Sequence, residues 1–246
     1  MLTSHSKFIL TPVINNLSNA INASRALVDE INVYPLYEYV MQSTFLKMTG
    51  AQEQKLKCIC WDIATNDYEY RYEKFRNGLG ECSNYNDKKG IFDDVIKEIQ
   101  KLNSNYDLNS LINKVSIISN TKSDVSILFA ESVFAQCKKR EYVFYLNDTN
   151  FIRDNLFCNY NTRENKLSFF EKELMERYYT VVYKHRNRCA HNTLSYQENL
   201  PTLKELSDSN FQYQNYFFRF YLLHFLDTIY ITLYKEYLRL LNECVF

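Results

Sequence analysis

Apolar side chains recur at intervals of three and four residues along much of the chain, which is the spacing of one face of an α-helix. Thr49 and Gly50 predict a local break between two of these stretches. The stretches together predict five helices, over residues 11–33, 35–48, 51–64, 91–102 and 125–138.

The last third of the chain has a clearer pattern. Ser168 and Glu171 match the capping box, in which the two side chains each satisfy a free backbone amide at a helix start. They predict a helix from Phe169 to about Ala190. A polar connection over 192–201 and a final long helix over 215–241 complete this region.

The middle of the chain is more polar. Residues 66–89 are rich in Tyr, Asn, Asp and Gly, and they predict an irregular, exposed segment. Residues 115–118 fit either a short strand or a helix, and 141–146 are β-prone, although tertiary context can override that preference. The expected fold is therefore one all-α helical bundle over 1–246, with a polar, less regular insertion at roughly 66–150.

Composition supports long helices and excludes several classes of protein. The 246 residues include only 4 Gly and 3 Pro but 21 Tyr and 17 Phe. A disordered chain would lack these aromatics, and a protein built from many β-hairpins would need more turn glycines. The formal net charge of zero excludes a strongly basic protein that coats nucleic acid.

Cysteine spacing and hydropathy indicate the cellular setting. The seven cysteines are irregularly spaced and form no Cys-x-x-Cys pair, so we expect reduced thiols rather than a disulfide framework or a zinc site. The first 17 residues lack a basic region followed by a continuous apolar core, and no apolar run approaches the ~18 residues of a membrane span. We therefore expect a cytoplasmic protein without a signal peptide, a membrane segment or a metal site.

One short segment concentrates chemically able side chains. Residues 184–191 (KHRNRCAH) contain two of the four histidines and three basic residues. On an ideal helix Arg186 and His191 are about 140° apart, so they cannot face one ligand from the helix body. They could do so if the helix ended near Ala190, or if two copies met around a two-fold axis.

This segment resembles the R-x(4–6)-H signature of the HEPN superfamily, with Arg186 and His191 in the defining positions and polar Asn187 directly after the arginine. The resemblance covers the helices on either side of the motif. It implies a helical homodimer, and in many members a metal-independent ribonuclease of toxin–antitoxin or abortive-infection systems. An antitoxin or another regulatory partner would restrain such an enzyme.

A second resemblance involves an E-x3-K element that some members have on an earlier helix. Glu53 and Lys57 fit this spacing, which places both side chains on one helix face. A solvated ion pair between the two is the alternative interpretation.

The resemblance suggests a mechanism that needs no cofactor, because RNA supplies its own nucleophile in the 2′-hydroxyl. Histidine titrates near neutral pH, and arginine matches phosphate oxygens with a fixed fork of donors. His191 would act as general acid or base, Arg186 would stabilise the phosphorane-like transition state, and Asn187 would orient His191 or a phosphate. The products would be a 2′,3′-cyclic phosphate and a 5′-hydroxyl.

The neighbouring residues have two interpretations each. Lys184, His185 and Arg188 could contact RNA, yet His185 fits a surface histidine and Arg188 could pair with a carboxylate. Cys189 and His224 fit packing residues of the core better than reactive groups. Two other functions stay open: a catalytically inactive HEPN module that binds nucleotides or RNA or mediates dimerisation, and a helical adaptor in which the motif is fortuitous.

Overall fold

The computed structural model describes residues 4–24, 34–78, 80, 82–191, 207 and 211–244. These residues are mostly helical, which confirms the predicted all-α class. The helices are α1 (Ser4–Leu10), α2 (Ile14–Ala23), α3 (Tyr34–Asn66), α4 (Tyr68–Asn77), α5 (Tyr85–Leu102), α6 (Lys114–Phe129), α7 (Val133–Cys137), α8 (Lys139–Asn147), α9 (Lys172–Leu174), α10 (Thr180–His191) and α11 (Tyr216–Cys244).

Shorter elements connect these helices. One antiparallel hairpin pairs β1 (Tyr160–Asn161) with β2 (Lys166–Leu167). A π turn (Met175–Tyr179) joins α9 to α10, and the hydroxyl of Thr180, directly after it, donates to the Met175 carbonyl oxygen at 2.9 Å. Turns of 3-10 helix occupy Leu108–Ser110, Asp154–Leu156 and Phe211–Tyr213.

Helix α11 forms the centre of the fold. It packs against α3, α5 and α6, and it is buried around most of its circumference, as expected for a helix that is apolar on nearly all faces. The Asn215 side-chain oxygen accepts a hydrogen bond from the Phe217 amide at 3.0 Å and so caps the helix start. The final helix predicted over 215–241 is thereby confirmed, with its end three residues further on.

The predicted break in α3 is wrong, because the helix is continuous through Thr49 and Gly50. The Thr49 hydroxyl donates to the Leu46 carbonyl oxygen at 2.9 Å and leaves the helix intact. Glycine lowers helix stability by about 1 kcal/mol relative to alanine. Burial of Phe45 and Met48 on the core face of the same turn outweighs that cost.

The irregular segment predicted over 66–89 is also wrong in large part, because α4 and the start of α5 lie within it. Its Asn and Asp residues cap helices: the Asp67 side chain accepts from the Tyr70 amide, and the Asn84 side chain accepts from the Asp87 amide. Gly78, with φ +73°, ends α4 in a conformation that favours glycine. The same composition that suggested a loop therefore marks three helix boundaries: the start and the end of α4 and the start of α5.

The β-prone residues 141–146 lie in α8, and residues 115–118 lie in α6. Tyr142 and Tyr145 are three residues apart, so a helix turns both toward the core, where each packs against Phe217. Their hydroxyls donate to backbone carbonyls of α6 at 2.8 and 3.1 Å. Tertiary contacts thus override the local β preference.

The predicted capping box does not form, and the helix begins at Lys172 rather than Phe169. The Ser168 amide donates to the Asn159 carbonyl oxygen at 2.9 Å, and the Ser168 hydroxyl contacts the Glu171 carboxylate at 3.2 Å. Extended pairing after β2 therefore occupies the residues that were expected to start the helix.

Two further predictions involve residues outside the described part of the chain, one of them in part and the other entirely. The helix expected over 11–33 corresponds to α2 from Ile14 to Ala23, and residues 25–33 lie outside the described part. The polar connection over 192–201 lies outside it as well.

Candidate functional site

A small pocket lies where α3, α5, α10 and α11 meet. Its volume is about 20 Å³, which is space for a single water molecule. The residues that line it are mostly polar and come from all four helices, from the loop before α5 and from the π turn before α10: Thr49, Gln52, Glu53, Ser83, Lys88, Tyr179, Val182, Tyr183, Arg186 and Leu223.

Arg186 forms one wall of this pocket together with Glu53. Its Nη2 donates to Glu53 Oε2 at 3.1 Å, and its Nη1 donates to Asn187 Oδ1 at 3.2 Å. Both members of the ion pair are shielded from solvent, with side-chain exposures of 25% for Arg186 and 14% for Glu53. The structure thus brings together three residues that the sequence analysis had singled out on two separate segments.

Lys57 lies one turn beyond Glu53 on α3 and is half-buried. Burial raises the pKa of the Cys82 thiol to about 12, and the positive charge of Lys57 opposes that rise. The charge of Lys57 therefore acts on Cys82, in the loop before α5, whereas Glu53 faces Arg186.

Lys88 is a pocket residue that the sequence analysis missed. Its side chain is almost entirely buried, and its Nζ donates to Gln52 Oε1 at 2.8 Å. The Gln52 amide nitrogen donates in turn to the Leu223 carbonyl oxygen on α11 at 3.2 Å, which fixes the orientation of the amide. Burial lowers the pKa of Lys88 to about 8, and the nearby Glu53 carboxylate opposes that effect.

The sequence does contain a signal for this position. Lys88 precedes Ile91, Phe92 and Val95 at helical spacing, so it lies on the apolar face of α5. A lysine on such a face is either extended to the surface or buried with a partner. The structure shows burial, with Gln52 as the partner.

The opposite side of α10 faces the protein interior. His185 packs against Phe45 with a ring-centroid distance of 5.2 Å, and its Nε2 lies 3.1 Å from Arg219 Nη1. Burial, followed by the positive charges of Arg219 and Arg188, lowers the pKa of His185 to about 2. The imidazole is therefore neutral and accepts a hydrogen bond from Arg219, in the interior rather than at the pocket.

Arg219 is almost fully buried near the start of α11. Burial lowers its pKa, and its guanidinium carbon lies 5.1 Å from the centre of the Tyr216 ring. Cys189 is buried with its Sγ 3.4 Å from His185 Nε2, as its packing interpretation predicts. Arg188 acts electrostatically on this same cluster, while Lys184 is exposed on α10.

His191 belongs to α10 by its backbone, so the helix extends past Ala190, where we expected it to end. The side chain of His191 lies outside the described part of the structure. The alternative arrangement, in which two copies bring the motif together, stays a prediction.

His224 is buried within α11, and its Nε2 lies 2.9 Å from Asp124 Oδ2. Its interpretation as a core histidine is confirmed. Within the described residues, no three His, Cys, Asp or Glu side chains lie close enough to hold a metal ion. No helix in that part of the chain has an apolar stretch long enough to cross a membrane.

The site thus comprises Arg186, Asn187 and Glu53 at a pocket with Lys88 and Gln52, and a separate buried cluster around His185 and Arg219. Comparison with known proteins adds no family to this description: no protein-family model, no curated protein and no solved structure matches the chain.

Proposed function

We propose that this chain is a metal-independent endoribonuclease of HEPN type, in which Arg186 and His191 act on the RNA phosphodiester. The observation that supports it best is the position of Arg186, which is partly buried at the pocket and held by the Glu53 carboxylate. An arginine that holds one oxyanion in this way can exchange it for another, because carboxylate and phosphate oxygens accept the same pair of donors.

The proposed reaction is an internal transfer at phosphorus. The 2′-oxygen forms a bond to phosphorus while the bond from phosphorus to the 5′-oxygen breaks, which leaves a 2′,3′-cyclic phosphate. One proton leaves the 2′-hydroxyl and one proton reaches the departing 5′-oxygen, and His191 performs one of these two transfers. Arg186 stabilises the negative charge that develops on the phosphate oxygens.

Two copies of the chain would complete the site. Arg186 and His191 lie five residues apart on one continuous helix, which separates their directions by about 140°. A two-fold axis near α10 would place Arg186 of one copy beside His191 of the other. Because unrestrained cleavage of RNA harms the cell, a partner such as an antitoxin would hold the dimer inactive.

The test is cleavage of total RNA by purified protein in the presence of EDTA. We expect the wild type to produce fragments with 2′,3′-cyclic phosphate ends, and the His191→Ala variant to lose at least about 100-fold in rate, the effect of removing a general acid or base. His5→Ala is the matched control, because His5 pairs with Asp62 on α1 and α3 rather than facing the pocket.

Arg186→Lys separates the two contributions of the arginine. The variant keeps a positive charge but loses the fork that binds two oxygens, so cleavage should fall while the fold persists. Cleavage by His191→Ala at the wild-type rate would overturn the proposed mechanism. Absence of cleavage by the wild type, together with RNA binding, would favour the inactive binding module.

A further inference from the structure

Lys88 has an unusual environment for a buried cation. Its ammonium group is held by the neutral amide oxygen of Gln52, with no carboxylate among its hydrogen-bond partners in the described residues. Transfer of a charged group out of water is costly unless an opposite charge compensates it. A buried lysine without this compensation has either a structural role or an anionic ligand. A neutral side chain would fill a structural role better.

The charges along the pocket wall favour an anionic ligand. Among the described residues that line it, two are cations, Lys88 and Arg186, and a single one is a carboxylate, Glu53. Glu53 is already paired with Arg186 at 3.1 Å. Among these lining residues the cations therefore outnumber the carboxylates by one, and Lys88 is the more deeply buried of the two cations.

We propose that Lys88 and Arg186 form a phosphate-binding pocket, and that the Glu53 carboxylate occupies the place of the phosphate in the unliganded protein. This inference rests on the proposed function in one respect, since it identifies the phosphodiester group of RNA as the ligand of that site. Lys88 then contacts the phosphate directly, and Glu53 is an internal competitor for it.

The size of the pocket requires Glu53 to move. A space of about 20 Å³ accommodates one water molecule and no phosphate group. Rotation of the Glu53 side chain away from Arg186 frees the guanidinium fork and enlarges the space beside Lys88. Arginine then binds two phosphate oxygens side by side, and the lysine ammonium contacts a third as a compact charge.

The position of Lys88 suits this role because it is fixed from three sides. Gln52 accepts from its Nζ, and the Tyr230 hydroxyl donates to its backbone carbonyl oxygen at 2.7 Å. The Tyr179 ring lies 6.0 Å from its Nζ and forms part of the pocket wall. A ligand therefore meets a cation that is already oriented, which lowers the entropic cost of binding.

The proposal is tested by titration of the full chain with inorganic phosphate, measured by isothermal titration calorimetry. We expect Glu53→Gln to bind phosphate about tenfold more tightly than the wild type, since it removes the competing charge but keeps the side-chain shape. Lys88→Gln should bind at least about tenfold more weakly, because it keeps a donor for Gln52 but has no charge. Lys101→Gln, at an exposed lysine paired with Asp67 and Glu98, should change the affinity by less than about twofold.

Two further variants protect the test against misfolding. Lys88→Met replaces the cation by an apolar side chain of similar length, and it should lose phosphate binding as Lys88→Gln does. Gln52→Glu gives Lys88 a carboxylate of its own and should weaken phosphate binding by repulsion. Wild-type affinity in folded Lys88→Gln and Lys88→Met, or unchanged affinity in Glu53→Gln, would overturn the proposal.

A 2′-O-methyl oligoribonucleotide distinguishes a phosphodiester from free phosphate as the ligand, because it binds without being cleaved. Lys88-dependent binding of this oligonucleotide supports the phosphodiester; Lys88-dependent binding of inorganic phosphate alone overturns that assignment. The outcome is also separable from the proposed function. If Lys88→Gln loses phosphate binding but the wild type cleaves no RNA, the phosphate-binding pocket stands and the nuclease is rejected. If the wild type cleaves RNA but phosphate binding does not depend on Lys88, the nuclease stands and the pocket is rejected.

Discussion

Lys55 and Lys88 are both buried in the fold, and their direct hydrogen-bond partners differ in charge. Lys55, on α3, donates to Asp227 Oδ1 on α11 at 2.6 Å, and Asp227 Oδ2 also accepts from the Val13 amide at 2.8 Å. Lys88, on α5, donates to the neutral oxygen of Gln52 and faces the pocket. The first lysine has a carboxylate as its direct partner, whereas the second has a neutral amide oxygen and the Glu53 and Asp87 carboxylates act on it as nearby charges.

The difference shows how a polar interior group can be assigned a role. The pair of Lys55 and Asp227 is sealed, with exposures of 5% and 1%, so no charge is left for a ligand and the pair contributes to the arrangement of α2, α3 and α11. At Lys88 the direct partner is a neutral amide, and a second cation, Arg186, lines the same pocket. Perturbed ionisable groups of this second kind are enriched at functional sites.

The largest expected effect comes from removal of one member of the sealed pair. Lys55→Met leaves the Asp227 carboxylate buried without its cation and should lower the free energy of unfolding by about 3–5 kcal/mol. Lys88→Met instead removes a buried cation whose direct partner is a neutral amide, and should change the free energy of unfolding by no more than about 1 kcal/mol, because the lost desolvation cost offsets the unsatisfied Gln52 oxygen. Urea unfolding at pH 7, followed by circular dichroism, measures both; equal destabilisation would contradict the comparison.

A somewhat smaller effect is expected from pH. The pKa of Lys88 is lowered by burial from its ordinary value of 10.5 to about 8 in the folded chain, where Glu53, Asp87 and Arg186 are its charged neighbours and the Cys82 thiol lies beside them. Between these two pH values the unfolded chain keeps a proton that the folded chain has lost, so stability should rise with pH. The rise amounts to roughly 3 kcal/mol over the whole window.

The measurement for this second prediction is the free energy of unfolding in urea at several pH values from 7 to 10, for the wild type and for Lys88→Met. The difference between the two proteins cancels the titration of the tyrosines, which differs little between them. If the difference does not change with pH, Lys88 is not the buried cation that the structure describes.

The smallest effect concerns the helix on which Gln52, Glu53 and Lys55 all lie. A methyl group added at Gly50 would meet no atom within 4 Å, so Gly50→Ala should stabilise α3 by about 0.5–1 kcal/mol. The melting temperature measures this gain. Phosphate binding should stay unchanged, and a loss of it would show that the pocket, unlike the sealed pair, depends on local freedom of α3.

The sequence predicts the helical class and several helices because burial of one face leaves a regular trace in the order of residues. It fails where one residue type has two uses. Asp67 and Asn84 cap helices, although the composition of their segment suggested a loop. Tyr142 and Tyr145 contribute to a helix face, although their segment favours a strand.

In the candidate site, too, some residues can be predicted from the sequence and others cannot. Arg186, Asn187 and Glu53 could be selected in advance because their spacing resembles a known signature, and the structure brings them together. Lys88 and Gln52 are 36 residues apart and follow no motif, and their contact exists only once α3 and α5 pack together. His185 turns into the core because Arg219, 34 residues away, faces it there.

The π turn at Met175–Tyr179 sets the direction in which the side chains of α10 point around the helix axis. It adds one residue to a helix that otherwise advances by about 100° per residue, so every side chain after Tyr179 is rotated relative to those before Met175. A chain one residue shorter here would keep the helix but rotate Arg186 by about that angle away from Glu53. The single extra residue thus determines whether the motif on α10 faces the pocket or the solvent.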